Sequence, residues 1–206
     1  MTVTKTVGEG IIRRLTELGA NDLGENRVAA AEPKIAALPG PTWHLIGHLQ
    51  QNKVRRAVRL FPWIHSIDSI ALLERVARIA REEDRRPRVL LQVEISGEPD
   101  RHGVSIENAP ALAEFAATAE VSNSVETVGM MGMASLVEDP EDARPAFRGL
   151  RELRDELAPR FPSGLPHLSM GMTNDFEVAI EEGSTMVRVG RALVAGATED
   201  TENSKG

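Results

Sequence analysis

The chain has 206 residues, with 31 acidic against 24 basic side chains, a formal net charge of −7, 41% hydrophobic and 27% charged residues. That length buries a sizeable core without disulfide or metal staples, and the composition excludes a mostly disordered or collagen-like polymer. The acidic balance argues against a phosphate-backbone partner, so nucleic acid is not expected. No apolar run reaches the roughly 20 residues of a membrane span, and the start, MTVTKTVGEG, carries no signal-peptide core, so the expectation is a soluble cytoplasmic protein without a membrane partner. Cysteine is absent, which removes disulfides, thiolate metal sites and cysteine nucleophiles. Tyrosine is absent too, so any general base or nucleophile must be His, Lys, Asp, Glu, Ser or Thr.

In chain order, β-rich runs at 2–6, 21–23, 43–46 and 63–67 lead into a clear amphipathic helix over 69–83. There Ile70, Leu73, Val76, Ala77 and Ala80 share one face, and Ser69 sits at the cap. A strand at 88–95 precedes a softer, alanine-rich helix over 106–119. A strand at 125–131 precedes a helix over 140–157 built on Phe147, Leu150, Leu153 and Leu157, and strands at 167–169 and 186–189 complete the set. Strands alternating with helices signal parallel βα units, and eight right-handed units close naturally into a single-domain α/β fold, the (β/α)8 TIM barrel. A doubly wound open sheet is the alternative, because periodicity does not say whether a sheet closes. Residues 1–196 are expected to form the barrel and 197–206 a polar, disordered tail.

In a barrel, function belongs where the strands end in βα loops. Lys5, inside Val3-Thr4-Lys5-Thr6-Val7, is the candidate amine for attack on an aldehyde; a solvated lysine is the plain alternative. Met186 to Arg191 reads as strand, glycine and helix start, so backbone N–H groups at Gly190 and Arg191 could cradle a phosphate. The small-residue turns Ser169-Met170-Gly171 and Gly183-Ser184-Thr185 would let it approach. Arg188 suits an anion, a heteroaromatic nitrogen or a rim ion pair. The five histidines, His44, His48, His65, His102 and His167, show no HxH or HExxH spacing, so no metal is expected. A cofactor-free hydrolase would rest on Glu25, Asp68 and Glu94, for which capping and rim pairing are the ordinary uses. The methionines Met130, Met131, Met133, Met170 and Met172 read as barrel packing.

The runs Lys5-Thr6, Leu23-Gly24-Glu25-Asn26-Arg27, Trp43 to Lys53 (WHLIGHLQQNK), Ser169-Met170-Gly171-Met172 and Gly183 to Gly190 (GSTMVRVG) closely resemble the pyridoxal phosphate homeostasis protein family. The resemblance spans roughly residues 2–196. It implies the barrel of the alanine racemase N-terminal domain, holding pyridoxal 5′-phosphate (PLP) as a Schiff base for intracellular PLP homeostasis without its own turnover. On this resemblance Lys5 carries the aldimine and Asn26 neighbours the cofactor. Ser169, with Met170 beside it, and the backbone of Gly190 and Arg191 hold the phosphate, and Arg188 faces the pyridine nitrogen. Expected partners are PLP and apo forms of PLP-dependent enzymes, with the protein a monomer or weak dimer. Family members usually carry a leader helix before the lysine strand, and here Lys5 follows only four residues, so that helix is expected to be missing. Arg191 stands where Thr is common, and Arg101 where the family has lysine. A PLP-dependent racemase is the alternative. Racemases of this fold use a lysine and a tyrosine from a second domain, whereas this chain has no tyrosine and is expected to form one domain.

Overall fold

The computed structural model describes residues 1–99 and 101–194, so the expected tail over 197–206 lies outside the described residues. Eight parallel strands follow one another round the sheet in sequence order. They are β1 (Thr2–Val3), β2 (Asp22–Glu25), β3 (Thr42–Leu45), β4 (Trp63–Ile67), β5 (Arg88–Gln92), β6 (Glu126–Met131), β7 (His167–Met172) and β8 (Met186–Arg188). The last strand meets the first: Val3 N donates to Val189 O at 2.8 Å and Val189 N to Met1 O at 3.1 Å. Thr2 and Val189 form a parallel bridge, so the sheet closes into a barrel and the open-sheet alternative falls.

The surrounding helices are α1 (Glu9–Glu17), α2 (Val28–Ala37), α3 (Val54–Leu60), α4 (Ile70–Glu82), α5 (Ala109–Ala117), α6 (Ala119–Ser122), α7 (Arg144–Leu157), α8 (Phe176–Glu181) and α9 (Arg191–Val194). The helix expected over 69–83 forms as α4, with the Ser69 hydroxyl accepting from Leu72 N at 3.3 Å. The segment 140–157 divides instead. A 3-10 turn, Pro140–Ala143, precedes α7, because Asp139 caps Glu141 N at 3.0 Å and Pro145 starts a new helix.

Strand lengths also differ from expectation, and the differences matter for function. The first strand stops at Val3 rather than running to residue 6, because Val7 N bonds back to Thr4 O at 3.3 Å and turns the chain toward α1. The seventh runs on to Met172, where Gly171 takes φ of +90° and an added Cβ would lie 2.5 Å from that of Ala179.

Between strands and helices lies a continuous apolar layer that includes Leu23, Leu45, Ile64, Val76, Leu112, Phe147 and Leu168. A polar latch crosses it near the first strand. Glu25, only 1% exposed, accepts from Lys34 Nζ and from Thr4 Oγ1, each at 2.7 Å, while Lys34 Nζ also reaches Thr4 O at 2.8 Å. One lysine on α2 thereby fixes the end of β2 and the turn after β1. Lys34→Met would strand the Glu25 carboxylate in the interior, and is expected to lower unfolding free energy by about 3 to 5 kcal/mol. Urea titration of the variant checks this, and adding Glu25→Gln should recover part of the loss.

Candidate functional site

A cavity of about 480 Å³ opens at the C-terminal mouth of the barrel. Its wall is formed by the chain after β1 (Lys5, Thr6), after β2 (Asn26), after β3 (Ile46), after β5 (Arg101), by Met133 to Val137 after β6, by Met172 to Asp175, and by Arg188 and Gly190. Close backbone approach shapes it: a Cβ on Gly47 would lie 2.3 Å from Asn26 O, and one on Gly190 3.2 Å from Val3 Cβ. Among the described residues, three cations, Lys5, Arg101 and Arg188, face this space in an otherwise acidic protein, against the carboxylate of Asp175.

Arg188 is only 5% exposed, although it reaches the cavity. Its Nη1 donates to Ser169 O at 2.7 Å and Ser169 Oγ at 2.9 Å, and its Nη2 to Gly132 O at 3.0 Å. Burial pushes the guanidinium down to about 10, with Asp175 opposing the shift, so it remains charged at neutral pH. Three of its five N–H donors are thus committed to the barrel.

Beneath Arg188 a hydrogen-bonded chain runs down the barrel interior. Ser169 Oγ lies 3.0 Å from His65 Nδ1, His65 Nε2 lies 2.9 Å from His44 Nδ1, and His44 Nε2 lies 3.2 Å from Asp22 Oδ1. Hydrogen-bond chemistry assigns every proton from the two ends. With the Asp22 carboxylate accepting, His44 must donate from Nε2 and accept at Nδ1. His65 then donates from Nε2 and accepts at Nδ1, and the Ser169 hydroxyl donates to His65 while accepting from Arg188. This pattern requires both imidazoles to be neutral. Desolvation does hold them so: His44 is pushed down to about 4, with Asp22 opposing, and His65 is held well below its ordinary range by burial and then by His44 and Arg188.

Of the residues expected at a site, Lys5, Asn26, Arg188 and Gly190 line the cavity together. Lys5 is exposed on the turn after β1, beyond the end of the strand that the sequence places over 2–6. Ser169 and Met170 are not in the wall. Ser169 is fully buried under Arg188, and Met170 packs in the apolar layer outside the barrel. Arg191 begins α9 just beyond Gly190. Thr173 and Asn174, which no motif in the sequence singles out, also line the cavity; their one signal is their position directly after the Ser169 to Met172 run. The hydrolase carboxylates are dispersed: Glu25 is in the latch, Glu94 caps Ser96 N at 2.7 Å, and Asp68 takes His48 Nδ1 at 3.2 Å.

The model of the alanine racemase N-terminal domain family matches residues 1–198. A pyridoxal phosphate homeostasis protein of Aquifex aeolicus is 44% identical over 192 residues, covering 92% of this chain and 83% of that one. The chain belongs to the pyridoxal phosphate homeostasis protein family. A second member, from Pseudomonas aeruginosa, is 36% identical, with 94% of this chain and 82% of that one covered. Among solved structures of the family, PipY of Synechococcus elongatus with PLP bound superposes with a TM-score of 0.84 at 37% identity, over 94% of this chain and 90% of that one. Alanine racemase of Clostridium difficile, at 12% identity and a TM-score of 0.71 over 92% of this chain and 50% of that one, shares the fold alone.

The buried histidines make a pH prediction for this family member. Unfolded histidine titrates near 6.5, so below that pH the unfolded chain takes up protons that folded His44 refuses. Stability is complete above pH 6.5 and is lost as pH falls toward about 4, by about 3 kcal/mol from His44 alone. Urea midpoints measured from pH 7 to 4.5 should fall accordingly, and His44→Gln should flatten the slope. A variant slope equal to that of the parent would remove His44 from the account.

Proposed function

We propose that this chain holds PLP in the barrel-mouth cavity, covalently through Lys5, and serves intracellular PLP homeostasis as a carrier without turnover of its own. The observation that carries this reading is the sealed Arg188 guanidinium, with donors left over, in the same cavity as the Lys5 amine. A flat, polyanionic heteroaromatic aldehyde fits that set: a fixed cation for the ring, an amine for the aldehyde and a loop-lined wall for the phosphate. When bound, the group supplies an aldehyde carbon that condenses reversibly with a primary amine.

The chain's own residues then divide the work. Lys5, exposed on its turn, offers the amine and stays within reach of amines arriving from outside. Arg188 would donate to the ring nitrogen and, because it keeps its own proton, would leave that nitrogen unprotonated and the ring a weak electron sink, which suits storage over carbanion chemistry. Asn26, in the same wall, would neighbour the bound group. Backbone N–H groups of Gly190 and Arg191 hold the phosphate, together with the Thr173 hydroxyl. Ser169 acts one layer below, as the support of Arg188, with Met170 backing it from the apolar layer. The racemase alternative lacks the tyrosine that its second proton transfer uses, since the chain contains none.

Apo enzymes that need PLP are the recipients in this reading, and the protein works as a cytoplasmic monomer or weak dimer. Among the described residues no helix is long and apolar enough to cross a membrane.

Mixing the protein with PLP, reducing with borohydride and mapping peptides should place the label on Lys5. Lys5→Ala should lose the label and the visible absorbance band while retaining weaker, phosphate-anchored binding. An unchanged band in that variant, or a label on another lysine, would overturn the assignment.

A further inference from the structure

We propose a second site on the same rim: a divalent transition-metal site formed by His48, Asp68 and His102. The sequence, with no HxH or HExxH pattern, gives no expectation of a metal. The fold brings these three residues together from three separate loops, those after β3, β4 and β5. One potential ligand atom from each residue lies within 4.8 Å of the other two. His48 Nδ1 is 3.2 Å from Asp68 Oδ2, and the two imidazoles stack with centroids 3.8 Å apart and planes 8° from parallel.

The backbone that presents these groups is tightly determined. Gly47, directly before His48, sits where any side chain would strike the Asn26 backbone, at 2.3 Å from its carbonyl oxygen. Gly103, directly after His102, has φ of +139°, and its Cβ would lie 2.5 Å from Glu94 N. Buried Gln92 donates its side-chain amide to His102 O at 2.8 Å, while Val104 N to Gln92 O at 2.8 Å and Glu94 N to Val104 O at 2.9 Å clamp the returning segment to the end of β5. The main chain is therefore fixed, and the exposed imidazoles keep rotational freedom.

Two imidazoles and one carboxylate suit Zn²⁺, Co²⁺ or Ni²⁺, while Mg²⁺ and Ca²⁺ prefer all-oxygen shells. Ligand bonds of roughly 2.0–2.2 Å require the donors to draw together by about 1 Å. An opening of the ring stack accomplishes this, leaving a fourth position for water. The ion would tie the loop after β5 to the ends of β3 and β4, next to the cavity wall at Ile46 and Arg101. None of its three ligands lines the cavity, so the site does not rest on the cofactor reading.

The test uses tag-free protein stripped with EDTA. Zn²⁺ calorimetry should give one equivalent bound, and Co²⁺ titration should give visible ligand-field bands. His48→Gln, His102→Gln and Asp68→Asn should each weaken Zn²⁺ binding about tenfold or more, with unchanged circular dichroism because the altered side chains lie at the rim. Absence of saturable binding, or parental affinity in both histidine variants, would overturn the proposal.

Discussion

A guanidinium sealed inside a barrel must be surrounded by acceptors, and much of the polar architecture here follows from Arg188. Barrels of this type usually fill their interior with layers of branched aliphatic side chains. This one does so only in part, with Trp63, Leu90, Val128 and Met131. The rest of the axis carries Ser169, His65, His44 and Asp22, each accepting from the residue above it. Among the described residues no carboxylate touches Arg188; two carbonyls and a hydroxyl do. Asp175 supplies the opposing charge from the cavity wall, and Asp22, whose side chain is 60% exposed at the opposite mouth, ends the hydrogen-bonded column. The polar side-chain atoms of Ser169, His65 and His44 are all paired, which is the condition under which a buried network specifies one structure.

The aromatic packing below reinforces the same column. His44 stacks on Trp63 at 5.1 Å, His167 meets the other side of that neighbourhood edge-on at 5.3 Å, and Arg88 lies over the indole at 5.2 Å. These contacts fix the ring planes of the histidines, and fixed planes fix which nitrogen faces which partner. The orientation of Arg188 at the cavity is therefore set jointly by β3, β4, β7 and β8, and a change in any of them propagates to the site.

How much of this was legible in the sequence depends on the range of the interaction. Strand and helix alternation is a local signal, and it located all eight strands and the three clearest helices, though not their ends. The end of β1 depends on one bond, Val7 N to Thr4 O, that no propensity encodes, and that bond puts Lys5 on an exposed turn. Ser169 shows a different limit. Period-two alternation says that it faces the interior, but which interior layer it occupies depends on the tilt and stagger of strands 20 to 100 residues away. The family resemblance assigns it to the phosphate, and in the fold its hydroxyl pairs with Arg188 and His65. Glu25 and Lys34 were invisible as a pair for the same reason, as were His48 and His102, whose proximity exists only after β3 and β5 are set in place.

The two ends of the cavity differ in a way that bears on storage against catalysis. Arg188 is immobilised by three hydrogen bonds and belongs to the barrel core, whereas Lys5 stands on a turn beside solvent. An enzyme that moves protons at a substrate carbon needs its amine held as rigidly as its ring contact, because misplacement by about 1 Å costs about 10²-fold in rate. A carrier needs the reverse: one end gripped by preorganised donors, the other attached by a bond that forms and breaks at an accessible amine. Rigidity concentrated at Arg188 and access concentrated at Lys5 is therefore the asymmetry that favours the proposed carrier role over the racemase alternative.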